Sequence, residues 1–261
     1  MKKLNLITIL LAVFIVLMGC KKECAFVYSG WTSCSNNIQT RTYTSSPSGC
    51  TGTPPADSLQ RSCVILPSIP TIIIGTQTWT LKNLDVATYR NGDTIPQLQD
   101  SIAWGLFTTK GAWCYYNNDP ANGTTYGKLY NWYAVNDPRG LAPSGFHIPT
   151  DAEWTTLTSY LGGITLAGGK MKEASALYWQ SPNMGATNSS GFTGLPGGNR
   201  TTPYGFFMGR RQNGIWWSSS EGSTPGKFMA RGLVNSLSNV TGFGSSGESP
   251  RNGFSVRCIK D

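Results

Sequence analysis

The chain has 261 residues, of which 31 are Gly and 9 are Trp, and only 13% are charged, against roughly 25% in a typical soluble domain. Few charges among many glycines exclude a helix bundle and point to short strands joined by ordered turns. The formal net charge of +8 is scattered, and beyond Lys2-Lys3 the tight basic pairs are only Lys21-Lys22 and Arg210-Arg211. No basic stripe with interleaved aromatics forms, so no nucleic-acid partner is expected.

Lys2 and Lys3 precede an apolar run over residues 4–18. As a helix this run spans about 22 Å, short of a bilayer core of roughly 30 Å, so residues 1–19 are expected to be a cleavable signal rather than a span. Leu17-Met18-Gly19-Cys20 resembles the bacterial lipobox. That resemblance implies cleavage before Cys20 and fatty acylation of Cys20, with residues 20–23 as a tether. The implied partner is membrane lipid, and the implied location is the cell envelope, at the outer membrane, facing the periplasm or the outside. Each buried acyl methylene contributes about 0.8 kcal/mol to such an anchor.

Seven cysteines are an odd set until Cys20 is assigned to lipid, which leaves Cys24, Cys34, Cys50, Cys63, Cys114 and Cys258. An exported chain meets an oxidising compartment, so disulfides are expected. No CxxC pair occurs and His147 is the only histidine, which excludes a tetrahedral zinc pattern. Four of the cysteines crowd into residues 24–63, where three connectivities are open. Cys114 and Cys258 are expected to form a long-range staple contributing about 4–5 kcal/mol, the alternative being two buried free thiols.

Residues 24–63 read as a small all-β module without aliphatic periodicity. Tyr28, Trp31 and Cys34 recur every three residues, and Gln39-Thr40-Arg41-Thr42-Tyr43 alternates with period two. Trp31-Thr32-Ser33-Cys34-Ser35 is similar to the Trp-x-x-Cys-Ser signature of the thrombospondin type 1 repeat. That resemblance implies aromatic rings stacked against guanidinium groups, here Tyr28 and Trp31 with Arg41, in place of a conventional core. The module departs from the family in having four cysteines rather than six and one clear Arg layer. Residues 64–70, with two prolines, read as a semi-rigid linker.

The large module starts at Thr71. Ile72-Ile73-Ile74-Gly75 and Thr76-Gln77-Thr78-Trp79 read as strand, turn and strand. Tyr126, Tyr130 and Tyr133 have helical spacing, with Gly127 against it. Thr150 and Glu153 form a capping box, so a helix is expected from Asp151 with Trp154, Leu157 and Leu161 on one face and Gly162 ending it. Trp216 and Trp217, if in a strand, point to opposite faces, one into the core and the other either an exposed stacking platform or part of a buried second layer.

Asn131-Trp132-Tyr133-Ala134-Val135, Pro143-Ser144-Gly145-Phe146-His147-Ile148-Pro149-Thr150-Asp151, Leu195-Pro196-Gly197-Gly198 and Trp216-Trp217-Ser218-Ser219 together resemble the Fibrobacter succinogenes major paralogous domain, over residues 71–261. Ala142 stands where many members have Cys, which leaves Cys114 to Cys258. That family looks related to C-type lectin-like and formylglycine-generating-enzyme-like folds. The implied fold class is α+β, with two helices, twisted antiparallel strands and long loops, beside a small disulfide-stapled all-β module. It also implies that residues 72–75 pair near residues 254–259.

Catalytic apparatus is not expected. His147 lies between Phe146 and Ile148 ahead of the helix cap and reads as structural. Asp151 and Glu153 serve the helix start, and no G-x-S-x-G occurs. Asn117-Asn118-Asp119 with Asn122 is oxygen-rich but lacks acidic alternation, so neither a metal nor a cofactor is expected. Trp216, Trp217, Arg210 and Asn118 are the candidate ligand-binding residues. The expected role is non-catalytic binding or adhesion to an extracellular glycan or protein. The alternatives are a structural subunit of an envelope assembly and, more remotely, a formylglycine-generating-type oxidase.

Overall fold

A computed structural model describes residues 25–32, 38–46, 53–55, 58–62, 69–107, 109–242 and 246–261. The residues assigned to lipid and to the small-module disulfides, Cys20, Cys24, Cys34, Cys50 and Cys63, lie outside the described residues. The chain divides into two units, Met1–Ser68 and Ile69–Asp261, with the division inside the stretch read as linker.

In the first unit, β1 (Ala25–Tyr28) pairs antiparallel with β3 (Tyr43–Ser46), and β2 (Ile38–Thr40) with β4 (Gln60–Ser62). Among its described residues only Pro54 is buried, so cohesion comes from elsewhere. The Arg41 guanidinium lies 4.0 Å from the Tyr28 ring centre and 4.4 Å from that of Trp31. Arg61 covers the other part of Trp31 at 4.5 Å. Arg41 Nε donates to the Ser58 carbonyl and Arg61 Nε to Gln39 Oε1, which fixes both planes. The single Arg layer read from sequence is therefore two layers, each contact contributing about 0.5–2 kcal/mol.

The second unit mixes helix and strand, as α+β requires. β5 (Thr71–Ile74) and β6 (Gln77–Thr80) form a hairpin, turned at Gly75 with φ of +63°, where only glycine is unstrained. Two short antiparallel ribbons follow. β7 (Trp113–Cys114) pairs with β8 (Leu129–Tyr130), and β10 (Asn199–Arg200) with β11 (Phe207–Met208). Between them, β9 (Phe146–His147) belongs to the first sheet. The long strands β12 (Asn213–Glu221), β13 (Phe228–Val234) and β14 (Val240–Gly242) form a meander. The last strand, β15 (Ile259–Lys260), completes the order β5-β6-β15-β9.

The chain terminus joins these sheets. Gly253 bridges to Arg200, Phe254 to Tyr130 and Ser255 to Trp216, and Ile259 pairs with both Trp79 and His147. Every residue from 253 to 259 is buried. The strand beside the C-terminus is thus β6, one position inward of the expected 72–75 segment. β5 is the edge strand, where Ile73 faces solvent, whereas Trp79 of the inner strand β6 is fully buried.

Besides a π-helical turn at Ala103–Phe107 and a 3-10 turn at Tyr116–Asn118, four α-helices occur among the described residues: α1 (Pro120–Tyr126), α2 (Trp132–Val135), α3 (Asp151–Tyr160) and α4 (Ile164–Met171). α3 has both halves of its capping box and buries Trp154, Leu157 and, at its C-cap, Leu161. The helical run read across residues 126–133 is broken instead. Gly127, at φ +73°, ends α1, and a Cβ there would lie 2.8 Å from the Leu84 carbonyl oxygen. β8 and α2 then form separately.

α4 escapes a propensity reading because it contains Gly168-Gly169, each about 1 kcal/mol worse than Ala in a free helix. Here the glycines permit close approach: a Cβ on Gly168 would sit 2.3 Å from the Asn239 carbonyl oxygen, and one on Gly169 2.2 Å from that of Gly185. Packing outweighs propensity. Gly168→Ala is therefore expected to lower the unfolding free energy by about 1–3 kcal/mol, measured by denaturant titration. A gain in stability would show that the contact is not tight.

Candidate functional site

Trp216 and Trp217 do point to opposite faces of β12, but neither is a platform. Their relative exposures are 1% and 0%. Trp216 packs beside Trp154 and Phe192 and donates to Asn83 Oδ1 at 2.8 Å. Trp217 packs on Phe254 and donates to the Tyr130 carbonyl at 2.8 Å. The sheet carries a core on each face, and this removes both residues from the ligand-binding set.

Arg210 and Asn118 converge on one surface. Arg210 Nη1 donates to Asn122 Oδ1 at 2.6 Å, and its guanidinium lies 5.7 Å from the Tyr116 ring. Asn118, two residues on from Tyr116, donates from Nδ2 to the Gln99 carbonyl. The Asn117–Asn122 turn is thus held by its own side chains, with Asp119 capping α1 through Ala121 N. Among the described residues no group of His, Cys, Asp and Glu is placed to hold a metal ion.

Arg210 ends a strip that the sequence did not announce. Tyr204, Phe206, Met208 and Arg210 alternate along one edge of the β10–β11 hairpin and face outward. The first three are 66%, 60% and 56% exposed, and the Tyr204 and Phe206 rings stack at 5.5 Å and 24°. Phe207 turns inward, against Tyr116 and the Arg200 guanidinium. The hairpin is tied from beneath: Thr201 N donates to the Phe206 carbonyl, Arg200 Nε to that of Gly205, and Thr202 N to Asn252 Oδ1. Gly205 lies flat on Ser101, where a Cβ would meet the carbonyl oxygen at 2.4 Å. The signal was a period-two apolar pattern, masked by Gly205 and Gly209 as turn residues.

Three of the buried cations, which support this surface and the core, have no carboxylate partner among the described residues. Arg200 donates to the carbonyls of Gly205, Leu98 and Gln99 and lies between the rings of Trp104 and Phe207, 4.7 Å from each. Arg257 donates to the Thr80 and Phe192 carbonyls and to Asn83 Oδ1, with Phe192 at 4.4 Å. Lys172 Nζ donates to the carbonyls of Met184, Val234 and Leu237. Burial pulls Lys172 down to about 8, and pulls Arg257 down to about 9 against a smaller opposing effect of Cys258.

The expected Cys114–Cys258 staple is absent. Both are free, buried thiols, held in different clusters: Cys114 with Trp104, Ala112 and Leu129, Cys258 with Ala142, Ile148 and Val256. Burial pushes each thiol up to about 12. The count paired them by elimination, whereas neighbouring residues of β7 point to opposite faces, which puts Trp113 in the cluster of Cys258 and Cys114 in another.

His147 is fully engaged, Nδ1 with Asp261 Oδ1 at 2.8 Å and Nε2 with Glu153 Oε1 at 2.9 Å. It joins β9, the chain terminus and the α3 cap. Burial alone lowers its pKa, but the hydrogen bonds and charges of Asp261 and Glu153 outweigh that, so the net shift is upward from 6.5. Burial raises Glu153, and hydrogen bonds from Thr150 and His147 outweigh that, so it falls below 4.5. The raised histidine stabilises fully below its unfolded pKa and loses that contribution as pH rises through its folded pKa. The lowered glutamate stabilises above its unfolded pKa and loses that contribution as pH falls. His147→Gln is therefore expected to lower the thermal midpoint most between about pH 4.5 and 6.5, with a gap that narrows at higher pH. A gap independent of pH in thermal denaturation would contradict the clamp.

Comparison with curated proteins gives no match, and neither does comparison with solved structures. The Fibrobacter succinogenes major domain matches residues 72–260, which takes in nearly the whole second unit, from the β5–β6 hairpin through the Trp216-Trp217 strand to the C-terminal seam. The chain belongs to the Fibrobacter succinogenes major domain family.

Proposed function

We propose that this chain is an envelope lipoprotein, anchored through acylated Cys20, whose family domain is a non-catalytic module that binds an extracellular protein or glycan ligand. The single observation that carries the binding reading is the Tyr204–Phe206–Met208–Arg210 strip. Large exposed apolar side chains in a contiguous patch mark interaction surfaces, and stacked aromatics with an adjacent Arg are the residue types enriched at binding hot spots. The hairpin's ties to Asn252, Ser101 and Arg200 reduce the entropy lost on binding.

The first unit fits a thrombospondin type 1-like spacer. Its Tyr28–Arg41–Trp31–Arg61 ladder supports that reading, as do four cysteines available for disulfides at Cys24, Cys34, Cys50 and Cys63. A C-type lectin-like fold for the second unit agrees with its mixed sheets and with termini joined through β6 and β15. An oxidase reading is disfavoured, because Cys114 and Cys258 are buried apart with their thiols held protonated at neutral pH. No helix among the described residues is long and apolar enough to cross a membrane, and the anchor is assigned to the lipid.

Display of the full chain against extracellular protein and glycan arrays is expected to give a ligand whose binding Tyr204→Ser and Phe206→Ser each weaken by at least about tenfold, or 1.4 kcal/mol. Unchanged binding by both variants would remove the strip from the interface. Binding to no array member, with cross-linking at the strip to another envelope subunit, would favour the structural-subunit reading instead.

A further inference from the structure

A second concave surface lies apart from the strip, a cleft of 550 Å³ lined by Lys110, Gly111, Trp132, Tyr133, Asn136, Asp137 and Arg139 among others. Its volume falls within the range of roughly 300–1,000 Å³ usual for small-molecule sites. One wall is aromatic, with Trp132 almost buried and Tyr133 half-buried. The lining also holds an ordered ion pair. Arg139 grips Asp137 with two parallel bonds, Nε to Oδ1 and Nη2 to Oδ2, both 2.8 Å, and reaches Asp93 Oδ2 at 3.1 Å. The bond to Arg139 holds the Asp137 carboxyl down at about 2.

Behind this pair stands Tyr89, buried, with the Arg139 guanidinium 4.1 Å above its ring. Its hydroxyl is closed off from the cleft and lies against Asp137 and Arg139, with which it interacts. Gly111 is bare above it: a Cβ there would lie 1.9 Å from the Tyr89 oxygen.

These features select a ligand class. Arg139 is already neutralised by two carboxylates, so a phosphate or carboxylate ligand finds no unspent countercharge on it. A purely apolar ligand would cover Asp137 and Asn136 without replacing their water. A neutral molecule with alternating C–H faces and hydroxyl groups suits both kinds of lining at once. We propose that this cleft is a saccharide-binding site, in which Tyr133 and the edge of Trp132 pack a sugar's C–H face while Asp137 and Asn136 take its hydroxyls. This goes beyond the strip reading and uses none of its residues, so either can fail alone.

The test is calorimetric titration of the full-length chain, in a detergent that carries no sugar, with neutral hexoses, N-acetylhexosamines and their disaccharides. At least one sugar is expected to bind, and to bind equally well with a metal chelator present. Tyr133→Ala and Asn136→Ala, both at the cleft surface, are expected to weaken binding by at least about tenfold with thermal midpoints unchanged, while Phe206→Ser leaves it intact. Absence of heat for every sugar overturns the proposal. So does wild-type affinity in both cleft variants, loss of binding on chelation, or loss in Phe206→Ser alone.

Discussion

Arg200, Arg257 and Lys172 are cations inside the protein with no acid beside them, and much of the family domain is arranged around keeping them there. Removing an ion from water costs several kcal/mol even after relaxation. Each cation recovers this through backbone carbonyls, at about 1.5–3 kcal/mol per charge-assisted bond. Ring faces add about 2 kcal/mol or more per desolvated contact. The carbonyls come from segments far apart in sequence. Arg257 collects Thr80 from β6 and Phe192 from the loop before β10, and Arg200 collects Leu98 and Gln99. Irregular backbone, which has no ladder to satisfy it, acquires donors this way.

The placement of Arg200 and Arg257 explains why long loops here are ordered. Arg257 lies on the buried 253–259 seam that joins the sheets, and Arg200 lies where that seam crosses the β10–β11 hairpin. A cation at such a crossing fixes the loops to the seam without needing a regular strand. The exposed strip inherits its rigidity from this arrangement, since Arg200 holds the Gly205 carbonyl between Tyr204 and Phe206. The first unit uses the same chemistry on a smaller scale, with Arg41 and Arg61 on Trp31 in place of an aliphatic core.

Local rules in the sequence made part of this legible. The Thr150–Glu153 capping box, the β5–β6 hairpin, the opposed faces of Trp216 and Trp217 and the Tyr28–Arg41–Trp31 stack depend on neighbours within a few residues or on a short motif. What escaped was non-local. α4 exists because Gly168 and Gly169 let distant carbonyls approach. The second tryptophan of β12 is buried because a second core covers that face. Cys114 and Cys258 lie apart because Cys114 is on the face of β7 turned away from the cluster that Trp113 shares with Cys258. Arg61, Arg200 and Arg257 looked like dispersed charge, since nothing in a linear pattern marks an arginine that will be surrounded by carbonyls.

If caged cations organise the domain, the cost of deleting one must exceed that of losing a hydrophobic contact. The most direct measurement is the unfolding free energy of Arg257→Met against the parent chain. Methionine fills similar apolar volume but leaves the Thr80 and Phe192 carbonyls without their donor and takes two donors from Asn83 Oδ1. A loss of about 3 kcal/mol or more is predicted, at about 1–3 kcal/mol for each buried acceptor stranded. Stability within about 0.5 kcal/mol of the parent, the range of ordinary surface substitutions, would contradict the account.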